Sequence, residues 1–187
     1  MIFLTGVALS PLQGGECHDS VVIDSVAYPV TSRWCGREID TALIAEPSDL
    51  VKLPQNLTYQ DRNIYVLPEV REALIRMAEA AEGDGARIVV ASGFRSVGYQ
   101  EVIIKRRLDR GQDIGTVFRY VAPPGYSEHH TGRALDLSPG GVLFGRTDTY
   151  RWLTENAGKF GFIESIPKDS ANGEDWEPWH WYYRGDL

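Results

Sequence analysis

The chain has 187 residues, 43% hydrophobic and 24% charged, so it can bury a sizeable core and has an ordinary globular composition. Its formal charge of -7 argues against a nucleic-acid partner, because phosphate neutralisation requires clustered lysine and arginine. No apolar run reaches the roughly 20 residues of a membrane-spanning helix, so we expect a soluble chain. Its length and composition predict one domain, which we expect to be monomeric.

Residues 1–60 are rich in turn formers, which predicts an N-terminal extension packed on a core made by residues 61–187. The apolar residues 2–9 predict a strand or a packed arm at its start. Cys17 and Cys35 enclose a segment of β-forming residues. They form either a disulfide, as in an oxidising compartment, or two buried thiols, and the sequence leaves both open.

Two helices and a strand are predicted in the first half of the core. From Pro68, apolar residues recur at helical spacing up to residues 83–85, where two glycines stop the helix. Residues 87–92 indicate a short buried strand. Ser96 then caps a second helix that runs to about Arg110. Its basic run, residues 105–107, is predicted to be a solvated face.

Residues 111–126 are predicted to form a loop, because the run that ends in Pro123 and Pro124 cannot continue a helix. Alternation over residues 133–138 indicates a strand, and Thr147 or Asp148 can cap a third helix to about Lys159. Residues 160–163 and 179–183 add strands. This order predicts an α+β fold, with a small, mainly antiparallel sheet flanked by helices and a cleft on one sheet face.

Three of the four histidines lie in two short segments, residues 127–136 and 177–180, and this clustering indicates a metal site. Catalytic zinc commonly takes three His, Asp or Glu ligands and leaves a position for water. His129, Asp136 and His180 supply such a set, because Gly132 permits a turn that returns Asp136 to the side of His129. The predicted cofactor is therefore Zn²⁺.

A carboxylate beside the metal is needed to accept a proton from water, and Glu177 is the candidate general base. Residues three apart on an ideal strand face opposite sides, so Glu177 and His180 cannot both face the metal from one strand. Pro178 favours a bend, which predicts that Glu177 lies in the loop before the strand.

These residues also resemble a known family. Ser-x-His-(x)6-Asp from Ser127, followed by Glu-Pro-Trp-His and preceded by Ser-Gly-Phe-Arg-Ser with Tyr99-Gln100, resembles the VanY-type D-alanyl-D-alanine carboxypeptidases over residues 65–187. The resemblance implies a zinc carboxypeptidase of peptidoglycan stem peptides, with the same three ligands and Glu177 as base. The adjacent His130 is the alternative to His129 as the ligand that the motif implies, although the spacings from Ser127 and to Gly132 favour His129. It further implies that Arg95 polarises the scissile carbonyl or grips the substrate carboxylate. Gln100 and Ser127 would help to bind the C-terminal end of the peptide.

The resemblance implies action in the cell envelope, in the periplasm or after secretion. Its alternatives are an L,D-carboxypeptidase, a dipeptidase or an endopeptidase on the same wall peptides, because these activities share metal chemistry and differ in pocket shape. A non-catalytic peptidoglycan-binding module is the other alternative. Glu177 argues against the module, because binding alone needs no base.

Overall fold

The computed structural model describes residues 17–169 and 175–185. The predicted arm at residues 2–9 lies outside this part of the chain. The described helices are α1 (Pro68–Gly83), α2 (Val97–Leu108), α3 (Ile114–Tyr120) and α4 (Asp148–Asn156). The described strands are β1 (Ser20–Ile23), β2 (Val26–Pro29), β3 (Val51–Lys52), β4 (Tyr65–Val66), β5 (Val90–Ser92), β6 (Ala134–Leu137), β7 (Phe162–Glu164) and β8 (His180–Tyr183).

The central sheet has four antiparallel strands in the order β5, β6, β8, β7. Two hairpins, β1 with β2 and β3 with β4, lie outside it. The predicted α+β fold with a small antiparallel sheet is therefore confirmed. Among the described helices, none has both the length and the apolar character that crossing a bilayer requires.

The first hydrophobic core lies between the central sheet, α1 and α4. Pro68 begins α1 at a position where its missing N–H costs no helical hydrogen bond. Its apolar stripe, which includes Val70, Leu74 and Met77, is fully buried. Burial of one such side chain contributes about 2 kcal/mol, so this stripe fixes α1 on the sheet.

A second core joins the N-terminal extension to α2 and α3. Trp34, in the 3-10 turn Ser32–Trp34, packs there with Phe118 of α3 and Tyr126. The Trp34 indole N–H donates to the carbonyl of Phe118 at 2.7 Å. Cys17 and Cys35 form a disulfide beside this core, which decides between the two states that the sequence left open.

Two element predictions need correction. Residues 111–126 are not wholly irregular, because Asp113 caps α3 by accepting from the N–H of Thr116, and Val117 and Phe118 bury the inner face of the helix. The strand predicted over residues 87–92 is shorter, because only Val90 to Ser92 pair with β6 in ladder geometry.

Candidate metal site

Two strands and one turn bring the predicted ligands together. Asp136 on β6 and His180 at the start of β8 are paired directly across the sheet, so their side chains project from the same face. His129 comes from the 3-10 turn Glu128–Thr131. One donor atom from each of these three residues lies within 4.8 Å of the other two.

Gly132 lets the chain pass from the turn into β6. Its φ of +67° is in the left-handed region, where a side chain is strained. A Cβ there would also lie 3.0 Å from Leu50 Cδ2. The sharp return that places Asp136 beside His129 therefore depends on glycine.

Each candidate histidine ligand has a partner for its second ring nitrogen. His129 Nδ1 lies 2.6 Å from the carbonyl oxygen of Gly93. His180 Nε2 lies 2.9 Å from Glu128 Oε2. When these nitrogens donate their protons, His129 Nε2 and His180 Nδ1 keep lone pairs toward Asp136, an arrangement common around metal ligands.

The charges of the site favour a cation between these groups. Burial, and then the charge of Arg95, lower the pKa of His129 to about 4, so this imidazole is neutral. Burial alone would lower the pKa of His180, but hydrogen bonds and charges from Asp136 and Glu128 raise it to about 10. Burial opposes ionisation of Asp136, yet the two histidines hold its pKa well below the usual range. Either a proton on His180 or a metal ion can supply the positive charge.

The donor set fits zinc. His129 Nε2 is buried and has no hydrogen-bond partner within residues 17–169 and 175–185, although Asp136 Oδ2 lies 3.1 Å away without hydrogen-bond geometry. A buried nitrogen without a partner is costly unless something binds it. Two imidazoles and one carboxylate are a common three-residue set for catalytic zinc.

His130, the alternative ligand, points elsewhere. Its Nδ1 lies 2.7 Å from the carbonyl oxygen of Arg95, and its Nε2 accepts from the N–H of Gly125 at 3.2 Å. Both nitrogens are thus used to join two loops. His129 therefore lies with the other candidate ligands, whereas the His130 side chain links the backbone of Arg95 to that of Gly125.

Glu177 lies outside β8, in a turn closed by the N–H of His180, which donates to the Glu177 carbonyl at 2.9 Å. This placement is the one predicted from strand geometry. The Glu177 N–H donates to the carbonyl of Ile166 at 3.2 Å. Trp176, the preceding residue, donates its indole N–H to Glu164 at 2.7 Å. Glu177 lines the same cleft as the three ligands.

Arg95, Gln100 and Ser127 also line this cleft, which has a volume of about 310 Å³. Arg95 donates to Asp136 at 2.8 Å and to the Gln100 side-chain oxygen at 3.4 Å. Gln100 is 1% exposed, and its amide nitrogen donates to the carbonyl of Ala122 at 2.8 Å. The structure therefore places Gln100 chiefly as a support for Arg95. Ser127 is buried at the start of the turn that carries His129.

The sequence did not predict a role for Glu128. Besides binding His180, its carboxylate accepts from the Ser165 hydroxyl at 2.7 Å. Burial raises its pKa, but the hydrogen bond and charge of His180 together with the Ser165 bond lower it overall. The only sequence signal was its position beside His129, and that position alone does not show where its side chain points.

Comparison with known proteins gives a family match. The family model described as "VanY: D-alanyl-D-alanine carboxypeptidase" matches residues 63–186. A putative carboxypeptidase of Bacillus subtilis (strain 168), YodJ, is 34% identical over 151 residues, which are 75% of this chain and 55% of YodJ. The chain spans about half the length of the curated relatives it matches.

Solved structures give the same picture. The L,D-carboxypeptidase LdcB superposes with a TM-score of 0.70 at 29% identity, and the match covers 89% of this chain and 84% of LdcB. The LdcB structure reveals the molecular basis of its peptidoglycan recognition. A variant of the vancomycin-resistance D,D-pentapeptidase VanY, in complex with Zn(II), has a TM-score of 0.56 at 29% identity. That match covers 72% of this chain and 83% of the other.

Proposed function

The chain belongs to the VanY family of D-alanyl-D-alanine carboxypeptidases, and on that premise we propose that it is a zinc-dependent carboxypeptidase of peptidoglycan stem peptides. The observation that carries the proposal is the set formed by His129, Asp136 and His180, whose donor atoms lie within 4.8 Å of one another. The zinc complex of the related pentapeptidase supports the choice of metal.

In the proposed mechanism, His129, Asp136 and His180 would hold the metal. When bound, zinc supplies a Lewis acid that makes water acidic enough to react near neutral pH. Glu177 accepts a proton as water adds to the scissile carbonyl carbon, and it delivers a proton to the amine as the C–N bond breaks. The products are a shortened peptide carboxylate and a free amino acid.

Arg95 is proposed to bind the oxygen of the scissile carbonyl or the terminal carboxylate. A guanidinium offers a fixed fork of donors to such groups. Its Nε–H is buried and has no hydrogen-bond partner in the described part of the chain. Gln100 holds Arg95 in place, and Ser127 and the second N–H of the Gln100 amide are proposed to contact the C-terminal end of the peptide.

Release of single amino acids tests the proposal. Zinc-loaded protein should remove one D-alanine from a stem pentapeptide that ends in D-Ala-D-Ala, as read by mass spectrometry. Glu177→Ala should keep zinc and lose at least about 100-fold in kcat, the usual contribution of a general base. If zinc-loaded wild-type protein left both the pentapeptide and the corresponding tetrapeptide intact, the binding module would be favoured and the proposal overturned.

An L,D-carboxypeptidase is the second candidate, because LdcB superposes on 89% of this chain, more than the 72% for the D,D-pentapeptidase. Cleavage of a tetrapeptide but not of a pentapeptide would establish it. Hydrolysis of the free dipeptide D-Ala-D-Ala, with the longer stem peptides left intact, would instead indicate dipeptidase activity, and internal cleavage of a cross-linked peptide would indicate an endopeptidase.

We also propose that the protein acts outside the cytoplasm, in the cell envelope or after secretion. The disulfide between Cys17 and Cys35 supports this location, because disulfides persist in oxidising compartments. The monomeric state stays a prediction, which size-exclusion chromatography with light scattering checks.

A further inference from the structure

Part of the cleft wall comes from residues 31–39, which precede the family match at residue 63. Trp34 fixes this segment through its hydrogen bond to Phe118 and its place in the second core. Farther along, the N–H of Ile39 donates to the carbonyl of Gly125 at 2.8 Å. The segment is therefore held at the cleft by contacts at both ends.

Besides Arg37, three arginines line this side of the cleft, and these three form what we call the arginine wall: Arg33, Arg107 and Arg119. Arg33 belongs to the N-terminal segment, Arg107 to α2 and Arg119 to α3. The Arg33 guanidinium lies over the Trp34 ring, 5.4 Å from its centroid, and donates to the carbonyl of Arg119. Arg107 therefore contributes to a cleft, whereas the sequence predicted a solvated helix face.

The charge of the arginine wall is only partly neutralised. Arg119 binds Asp175 through two nitrogens, at 3.0 and 3.3 Å. Arg33 Nε is buried and has no hydrogen-bond partner among the residues that the structure describes. The side chain of Arg107 makes no hydrogen bond or ion pair with that part of the chain. The wall can therefore still bind an anion.

The other carboxylates of the cleft are concentrated at the metal site. Glu128, Asp136 and Glu177 line the cleft there, and Arg95 is already bound to Asp136. The cleft thus has acidic groups where the metal and the scissile bond would lie, and cationic groups on the wall built by the N-terminal segment, α2 and α3. A peptide bound with its C-terminal bond at the metal would extend its preceding residues along the cleft.

We propose that the arginine wall is a second anion-binding subsite, which recognises a free carboxylate on a residue N-terminal to the scissile bond. This inference rests on the proposed function, because it takes the cleft occupant to be a peptide. It specifies the substrate class further: acidic peptides are bound better than the same peptides with that carboxylate amidated. Hydrogen bonds between a guanidinium and a carboxylate are stronger than those between a guanidinium and a neutral amide. This difference predicts that the peptide with the free carboxylate binds about tenfold more tightly than the amidated one.

Binding to the zinc-loaded Glu177→Ala protein tests the subsite without requiring turnover. The probes are two pentapeptides that end in D-Ala-D-Ala and carry either glutamate or glutamine at the second position. Titration calorimetry should give a dissociation constant about tenfold lower for the glutamate peptide. The ratio should shrink as sodium chloride is raised, because salt screens exposed charges.

Arg107→Gln in the Glu177→Ala protein should bring the ratio of the two dissociation constants toward one, because it removes one positive charge from the arginine wall. Within the part of the chain that the structure describes, the Arg107 side chain makes no hydrogen bond or ion pair whose loss would disturb the fold. Arg106→Gln is the matched control, because Arg106 is an exposed neighbour on α2 that does not line the cleft. Equal affinity for the two peptides, or a ratio in Arg107→Gln equal to that in Arg106→Gln, would overturn the subsite. Hydrolysis of both peptides by the wild-type protein without any preference would contradict the subsite and leave the carboxypeptidase proposal intact.

Discussion

At the scale of single residues, Glu128 is expected to determine how His180 binds metal. Its carboxylate fixes the Nε2 side of the ring and leaves Nδ1 beside Asp136. Loss of such an outer carboxylate typically weakens metal binding by about 10- to 100-fold. Glu128→Gln should therefore lower zinc affinity by that factor, measured by competition with a chromogenic chelator. Glu155→Gln on the exposed face of α4 is the control, and equal zinc affinity in the two variants would show that Glu128 has no such role.

The two adjacent histidines should separate clearly by metal content. His129→Ala removes a nitrogen of the candidate ligand set and should abolish stoichiometric zinc binding. His130→Ala should retain zinc but unfold at lower temperature, because its ring joins Arg95 to Gly125 and the loss of both bonds leaves two partly buried backbone groups without these partners. Elemental analysis and thermal unfolding of both variants check this. Zinc loss in the His130 variant alone would reverse the assignment.

At the scale of elements, the turn before β8 depends on the packing of Trp176. A Cβ at position 145 would collide with its indole ring, which also makes an edge contact with Tyr150 at 5.7 Å between centroids. Gly145→Ala should therefore displace Trp176 and, with it, the neighbouring Glu177. We expect a loss of about 1 to 3 kcal/mol in the free energy of unfolding, typical of overpacking.

The same variant should lower kcat while zinc stays bound, because the three atoms nearest to an added Cβ all belong to Trp176 and none to a candidate ligand. Gly140→Ala is the matched control, since a Cβ there would meet nothing within 4 Å. Stability by urea unfolding and turnover of the stem peptide are the two measurements. Unchanged kcat in a destabilised Gly145→Ala protein would mean that Trp176 does not position Glu177.

The elements with strong local signals were predicted best. The apolar period and the flanking Pro68 and Gly83 define α1, and Ser96 caps α2 as expected. The helix α3 was missed because it has only seven residues and is stabilised by burial of Val117 and Phe118 in a core that its own sequence does not reveal. Short helices of this kind depend on tertiary packing.

The candidate site, like the secondary structure, could be predicted only in part from the sequence. His129, Asp136 and His180 could be found because histidines are few and their spacing is informative. Glu128 and the arginine wall could not, because the direction of a side chain in a 3-10 turn and the contact of a distant N-terminal segment with α2 and α3 are set by the assembled fold. Sequence spacing identified the ligands, and only tertiary structure identified the groups around them.

At the scale of the whole molecule, the cleft lies where the two hydrophobic cores meet. The candidate ligands on β6 and β8 belong to the sheet that forms the first core, whereas Trp34 and Tyr126 of the second core line the cleft on the side of the arginine wall. Metal binding and peptide recognition should therefore respond differently when one core is loosened.

Removal of the disulfide tests this separation, because Cys35 directly follows the turn that carries Arg33 and Trp34. The double variant Cys17→Ser and Cys35→Ser should lose about 3 kcal/mol in the free energy of unfolding, the value expected for a closed loop of this size. Urea unfolding of the variant and the wild type measures it. Zinc affinity should stay within about twofold of the wild-type value, because the candidate ligands are held by β6, β8 and the turn before β6. The preference for the glutamate peptide should fall, because the N-terminal segment loosens. A variant that loses zinc while keeping this preference would show that the disulfide supports the metal site and not the wall.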